Sequence, residues 1–170
     1  RRHPNLPGCL LHHSGDPSRV CIRVDAADNV YVASNTTSTI FPLTGATFNN
    51  QYRGGTTDGL VFKLNPGLTA MLWGGLLGGT ASDAAYSIQI APGSGDVYVA
   101  GGTLSANFPT TAGSLHPTRL GDVDGFAARI SASGTSIMRA TYLGTTSYDQ
   151  GYFLQLGTDG GVYVLGQTAG

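Results

Sequence analysis

The side chains able to do chemistry are few, and most recur in a pattern. All ten acidic residues are Asp, there are four His and two Cys, and Lys63 is the one lysine. Asp58 and Asp124 are each followed by Gly just before an apolar run, where a short carboxylate accepts backbone N–H groups in an Asx-type turn. In Gly121-Asp122-Val123-Asp124-Gly125 two carboxylates stand one residue apart, as in oxygen-ligand loops. Calcium at Asp122 and Asp124 is therefore the sharper alternative to a turn role. The earlier copy, Thr56-Thr57-Asp58-Gly59, lacks the second carboxylate, so the expectation is no metal and no cofactor. Asp83 and Asp149 read the same way, as turn carboxylates. His12 and His13 are adjacent, and neighbours on a strand point to opposite faces, which keeps both from one metal. His3 and His116 stand alone. Cys9 and Cys21 fall in consecutive predicted strands and form a disulfide candidate that implies an oxidising compartment; a buried pair of free thiols is the other reading.

Catalytic chemistry finds little to work with. Acid–base or glycosidic chemistry needs a tuned carboxylate pair, yet every Asp here lies in a turn. No Gly-x-Ser-x-Gly elbow occurs, and the run Gly74 to Gly79 lacks the Gly-Lys-Ser/Thr ending of a phosphate loop. The chain is not expected to be an enzyme.

The elements that carry these residues are strands. In 170 residues there are 26 Gly and 8 Pro and no Glu, while Thr, Val, Tyr and Phe take the places of helix formers. A formal charge of −1 with 11% charged residues offers no basic face for nucleic acid or anionic lipid. The weakly polar stretch from Gly67 to Ala81 carries too many glycines, and is too short, for a membrane-spanning helix.

An internal repeat organises the chain. Val30-Tyr31-Val32, Val97-Tyr98-Val99 and Val162-Tyr163-Val164 are successive copies of one triplet, and each is followed by Thr: Thr36, Thr103, Thr168. Phe41-Pro42 returns as Phe108-Pro109, Asp58-Gly59 as Asp124-Gly125, Leu77-Gly78 as Leu143-Gly144 and Asp83 as Asp149. The period is about 66, and its slips fall in turns. One period reads as four strands, Val20 to Val24, Val30 to Ser34, Leu60 to Leu64 and Ala70 to Leu77, the first two joined by a Gly/Asp/Asn/Pro turn. Tyr31, Tyr98 and Tyr163 are expected to serve packing rather than a sugar site. The Phe-Pro pairs are expected to hold a long loop down over an apolar seam.

Four short antiparallel strands per repeat match a β-propeller blade. The expected all-β fold has residues 1–19 as the last strand of a preceding blade and its crossover, 20–85 as one blade, 86–151 as a second and 152–170 as the first two strands of a third. That makes about 2.75 blades, where a closed ring needs typically 4–8. Completion is expected from the remainder of the same polypeptide or from identical copies.

The residues also carry a resemblance. The run Val97 to Thr111, followed by Asp124-Gly125-Phe126 with Arg129-Ile130, then Tyr142-Leu143-Gly144 and Asp149, resembles the SBBP repeat, a β-propeller-type repeat of secreted and cell-surface bacterial proteins. The likeness covers nearly the whole chain from about Leu10. The first copy departs from it, with Ser34-Asn35 in place of Gly-Gly and Leu60 in place of Phe. The resemblance implies architecture and a secreted or surface location, with no common enzymatic activity. It makes the leading expectation a non-catalytic structural or interaction module, adhesive or scaffolding, with other surface proteins or glycans as further partners. A glycan-binding, lectin-like propeller completed by oligomerisation is the alternative, and a propeller enzyme stands third. Trp73 falls opposite Arg139 in the repeat, so no single aromatic site is preserved.

Overall fold

The computed structural model describes residues 8–10, backbone only, and residues 20–170. These residues form eleven strands and no helix: β1 (Gly8–Leu10), β2 (Val20–Val24), β3 (Val30–Thr36), β4 (Asp58–Leu64), β5 (Met71–Leu77), β6 (Asp83–Ile90), β7 (Val97–Thr103), β8 (Asp124–Ile130), β9 (Ile137–Leu143), β10 (Asp149–Leu156) and β11 (Val162–Thr168). They make three antiparallel sheets, β1-β2-β3-β4-β5, β6-β7-β8-β9 and β10-β11, none of which closes on itself.

Within each sheet the strands run in chain order: short turns join β2 to β3, β4 to β5, β6 to β7, β8 to β9 and β10 to β11 and leave antiparallel neighbours in reach, while long loops, residues 37–57 and 104–123, join β3 to β4 and β7 to β8. The turn chemistry is explicit between β2 and β3. Asp25 Oδ1 accepts from the Ala27 and Asn29 N–H groups at 2.9 and 3.0 Å, leaving Asp28 in the left-handed region at φ 61°. Irregularities recur along with the strands. The β6–β7 register shifts at Tyr86 and the β10–β11 register at Tyr152, while β4–β5 and β8–β9 shift at Leu72 and Met138. Each pair of bulges sits one period apart, and Leu72 and Met138 are turned outward to the same 42% exposure.

The segment expected as the last strand of a preceding sheet behaves otherwise. Gly8–Leu10 pairs antiparallel with β2, Cys9 opposite Cys21, and is a fifth strand of the first sheet. The edge of β2 presents unpaired N–H and C=O groups, and β1 takes them. The β6 and β10 strands likewise begin at Asp83 and Asp149, ahead of the positions read from apolar alternation.

The sheets pack face to face. β6 lies against β2, β3 and β4, and β10 lies against β6, β7 and β8. The main core fills the first of these seams, with Tyr31, Val61, Trp73 and Leu77 meeting Ile88, Val97, Val99 and Ile130. Bonds crossing the seams span one period. The Leu154 N–H donates to Ser87 Oγ at 3.0 Å, and Gln89 Nε2 to Gln155 Oε1 at 3.4 Å, from residues 67 and 66 apart.

Candidate functional site

Two kinds of polar cluster recur, one at the junctions between sheets and one on the strand faces. At the first junction Asp58 and Asp83 are both buried, and their carboxyl groups flank Gly78. A Cβ on Gly78 would stand 2.6 Å from Asp58 Oδ1 and 2.7 Å from Asp83 Oδ2. Only Gly leaves room for the two acids there. Asp83 Oδ2 accepts from the Gly79 N–H at 2.8 Å and from Ser105 Oγ at 2.7 Å, tying the β5–β6 crossover to the loop after β7. Asp58 Oδ2 accepts from the Arg53 N–H at 2.9 Å. Asp58 Oδ1 is buried without a hydrogen-bond partner among the described residues. Burial, with the neighbouring Asp83 charge adding to it, raises the Asp58 pKa to about 6; burial also raises that of Asp83.

The second junction repeats the arrangement around Gly144, whose Cβ would stand 2.8 Å from Asp149 Oδ2 and 2.9 Å from Asp124 Oδ1. Here the donors are more complete. Asp124 accepts from the Leu120 and Gly121 N–H groups at 2.6 and 3.0 Å, and Asp149 from the Thr145 N–H and Oγ1 at 2.6 and 2.9 Å. The hydrogen bonds outweigh desolvation at Asp149, and its pKa is lowered. Asp122 is exposed, unlike the buried Asp124 and Asp149. Among the described residues no group of three or more His, Cys and Asp is placed to hold a metal ion.

The strand-face cluster runs across each sheet as one register row. In the first sheet Arg23, Tyr31, Lys63 and Trp73 are successive partners; in the second they are Gln89, Tyr98, Arg129 and Arg139. The hairpin turn beside each row supplies a carboxylate. Asp25 lies 3.4 Å from Lys63 Nζ and accepts from Tyr31 Oη at 3.0 Å, while Lys63 stands over the Tyr31 ring. Asp96 accepts from Arg129 Nε at 3.0 Å, and that guanidinium stands over the Tyr98 ring. The bonds to Asn29, Ala27 and Tyr31 outweigh burial and lower the Asp25 pKa to about 2. Gln155 and Tyr163 begin the same row in the third sheet, and Asp159 accepts from Tyr163 Oη at 2.8 Å.

Tyr31 is buried edge-on against Trp73, Tyr98 is half-buried and Tyr163 is 57% exposed. The gradient follows what covers each row. Gly134, in the turn between β8 and β9, lies on Trp73 beside Tyr31 in the first row, whereas Val162 of β11 borders the second. A cavity of about 290 Å³ remains above Tyr98, Arg129 and Arg139, bordered by Val162 of β11.

Phe108 is buried against Phe126 and Tyr142 at 4.5 and 5.9 Å, and its N–H donates to Tyr142 Oη, which donates in turn to Ser105 O. The corresponding Phe41 is half-buried on Phe62, and Pro42 is exposed. Leu60 and Leu76 stand where Phe126 and Tyr142 do in the second repeat, and in the first the loop is pinned by Phe48 over Gly75 and by Asn49 Nδ2 on Leu76 O. Cys21 is disulfide-bonded. The Cys9 side chain lies outside the described residues, as do His3, His12 and His13. No helix among the described residues is long and apolar enough to cross a membrane. Comparison with protein-family models finds no match, and neither does comparison with curated proteins.

Proposed function

We propose that this chain is a non-catalytic structural and interaction module, a segment of a larger β-propeller of the SBBP-repeat kind in a secreted or cell-surface bacterial protein. The observation that carries this reading is the recurrence of one sheet-to-sheet relation. β6 covers the first sheet and β10 the second, with polar contacts one period apart. A unit that repeats its own packing interface stacks further copies in the same way, and a constant rotation per unit bends the stack towards a ring. The paired carboxylates around Gly78 and Gly144 fit a structural role, since each fastens a crossover or loop and both are buried. The resemblance supplies the surface location, and an oxidised Cys21 agrees with an oxidising compartment. No metal or cofactor is part of this function.

Head-to-tail duplication of residues 20–151 tests the architecture by small-angle scattering. An arc or flattened disc supports the proposal, whereas a straight rod overturns it. A glycan array on the same protein separates a scaffold from a lectin.

A further inference from the structure

β5 ends the first sheet and β9 the second, so among the described residues no strand pairs with the far edge of either. Such an edge carries N–H and C=O groups that another chain can pair with. The hazard is greater at β5, which reads Met-Leu-Trp-Gly-Gly-Leu-Leu without a charge or a proline, whereas β9 contains Arg139. In both sheets the edge is taken by the long loop of the same sheet. Along β5 the loop runs parallel to the strand, bridging at Ala46 and Trp73. The Gly74 N–H donates to Ala46 O at 3.0 Å, the Leu76 N–H to Asn49 O at 2.9 Å, and Asn49 Nδ2 to Leu76 O at 3.0 Å. Along β9 the Tyr142 N–H donates to His116 O at 3.1 Å. Ala140 exchanges two bonds with Thr111, donating its N–H to Thr111 Oγ1 and accepting from the Thr111 N–H, each at 3.1 Å. Next along each edge stands Leu72 or Met138, the extra residue of a bulge, which interrupts the ladder a partner strand needs.

What recurs is the closure and not the residues that make it. Asn49 and His116 share only a carbonyl in this contact, and Leu76 and Tyr142 only an amide. The loops are also seated differently: Phe48 lies over Gly75 in the first sheet, where the second has Thr141. A backbone contact kept one period apart by unlike side chains serves the edge itself. We infer that residues 46–49 are an intramolecular edge cap that holds β5 closed, and that displacing them converts β5 into a docking strand for β5 of a second copy of this chain. Main-chain hydrogen bonds supply such pairing. The occupant is a second copy because two β5 edges bring no like charges together and Leu72 stands exposed beside each. At β9 two copies of Arg139 oppose the same pairing. The inference stands on these two sheets alone and does not need the propeller reading.

The test uses the intact chain carrying Asn49→Ala, alone and together with Phe48→Ser. Loss of Asn49 Nδ2 should accelerate hydrogen exchange of the Leu76 amide about three- to tenfold. The double variant should accelerate Gly74 and Leu76 about a hundredfold while β3 stays protected. Sedimentation velocity over a range of concentrations should then show the double variant associating more strongly than the native chain. Adding Leu72→Lys, which sets like charges on the shared edge, should cancel that increase. Leu72 is exposed in a bulge, so the lysine leaves the fold unchanged. A peptide of residues 42–51 added to the double variant should restore protection at Gly74 and Leu76 and reverse the association; the same peptide with both substitutions should do neither. Where the double variant loses the protection of β3 as well, Asn49→Ala alone carries the same readouts. Amides that stay protected, or that exchange faster without added association, overturn the inference. Association that Leu72→Lys leaves in place runs through another surface and also overturns it.

Discussion

The Leu154 N–H donates to Ser87 Oγ at 3.0 Å, binding β10 to β6 in the seam between the second and third sheets. Both groups are buried, so the bond is satisfied nowhere else. In the first sheet the position of Ser87 is held by Cys21, whose Sγ faces Ile88 O at 3.9 Å, so the same point of contact is used twice with different atoms. Replacing Ser87 with Ala strands a buried donor and should cost about 1–3 kcal/mol in urea denaturation. Hydrogen exchange at Leu154 should accelerate before exchange in β2–β5 does. Uniform acceleration through all three sheets would show that the seam is not a separable contact.

The junction acids give a pH dependence with a worked sign. The Asp58 pKa is raised from its ordinary 3.8 to about 6, so the folded state holds this proton more tightly than the unfolded chain does. Its contribution to stability is full below pH 4 and is lost as pH rises towards 6, a change of roughly 3 kcal/mol at 1.36 kcal/mol per unit. Asp25, lowered to about 2, acts in the opposite sense: its contribution is present above pH 4 and is lost as pH falls towards 2. Asp58→Asn removes the penalty and offers an N–H donor towards Asp83. The variant should be more stable than the native chain at pH 7.5 by about 2–3 kcal/mol and equal to it near pH 4, as read from thermal melts across that range. An advantage that does not vary with pH would remove the titration of Asp58 from the explanation.

A paired substitution separates backbone conformation from packing. Gly134 and Leu68 occupy the same place in equivalent turns, with φ of 71° and 54°. Gly134 lies over the single tryptophan, where a Cβ would stand 2.3 Å from Trp73 Cγ; a Cβ already exists at Leu68, which is 64% exposed. Gly134→Ala therefore meets both a left-handed backbone and a clash, and should cost about 2–4 kcal/mol with a red shift of Trp73 emission. Leu68→Gly relieves the backbone alone and should change stability by less than about 1 kcal/mol. Equal and opposite effects at the two positions would show that Trp73 packing contributes nothing.

The strands were legible because alternation and turn residues repeat: Val-Tyr-Val three times, Asp-Gly twice, with period-long agreement between them. Register across the seams was not legible. Ser87 and Leu154 meet because two sheets lie on each other, and no local pattern marks a serine as the acceptor for a distant N–H. The pairing of Asp58 with Asp83 was hidden for a similar reason, although Leu-Gly before one acid and Gly after the other hinted that side-chain volume is excluded there. Tyr142 is legible only as part of the resemblance; its bonds to the Phe108 N–H and Ser105 O are not, because its counterpart is Leu76 and the repeat offers no second copy. Lys63 and Arg129 differ in kind but share a charge, and only their strand register shows them to be one feature.

The last prediction concerns the β1–β2 edge. Cys9 stands directly opposite Cys21 in the β1–β2 register, Cys21 is oxidised, and the chain contains two cysteines. We therefore expect a Cys9–Cys21 bond in protein purified without reductant: intact mass should show no alkylatable thiol until denaturant and reductant are present together. The closed loop is short, so its loss should cost about 2–3 kcal/mol. A three-residue strand contributes too few hydrogen bonds to hold itself at a sheet edge, so the cross-link is what keeps β1 on β2. Reduction should free the β1 amides to exchange while leaving β3–β5 protected. Two free thiols in the native protein would remove the cross-link, and with it the physical argument for an oxidising compartment, while the sheet seams would stand unaffected.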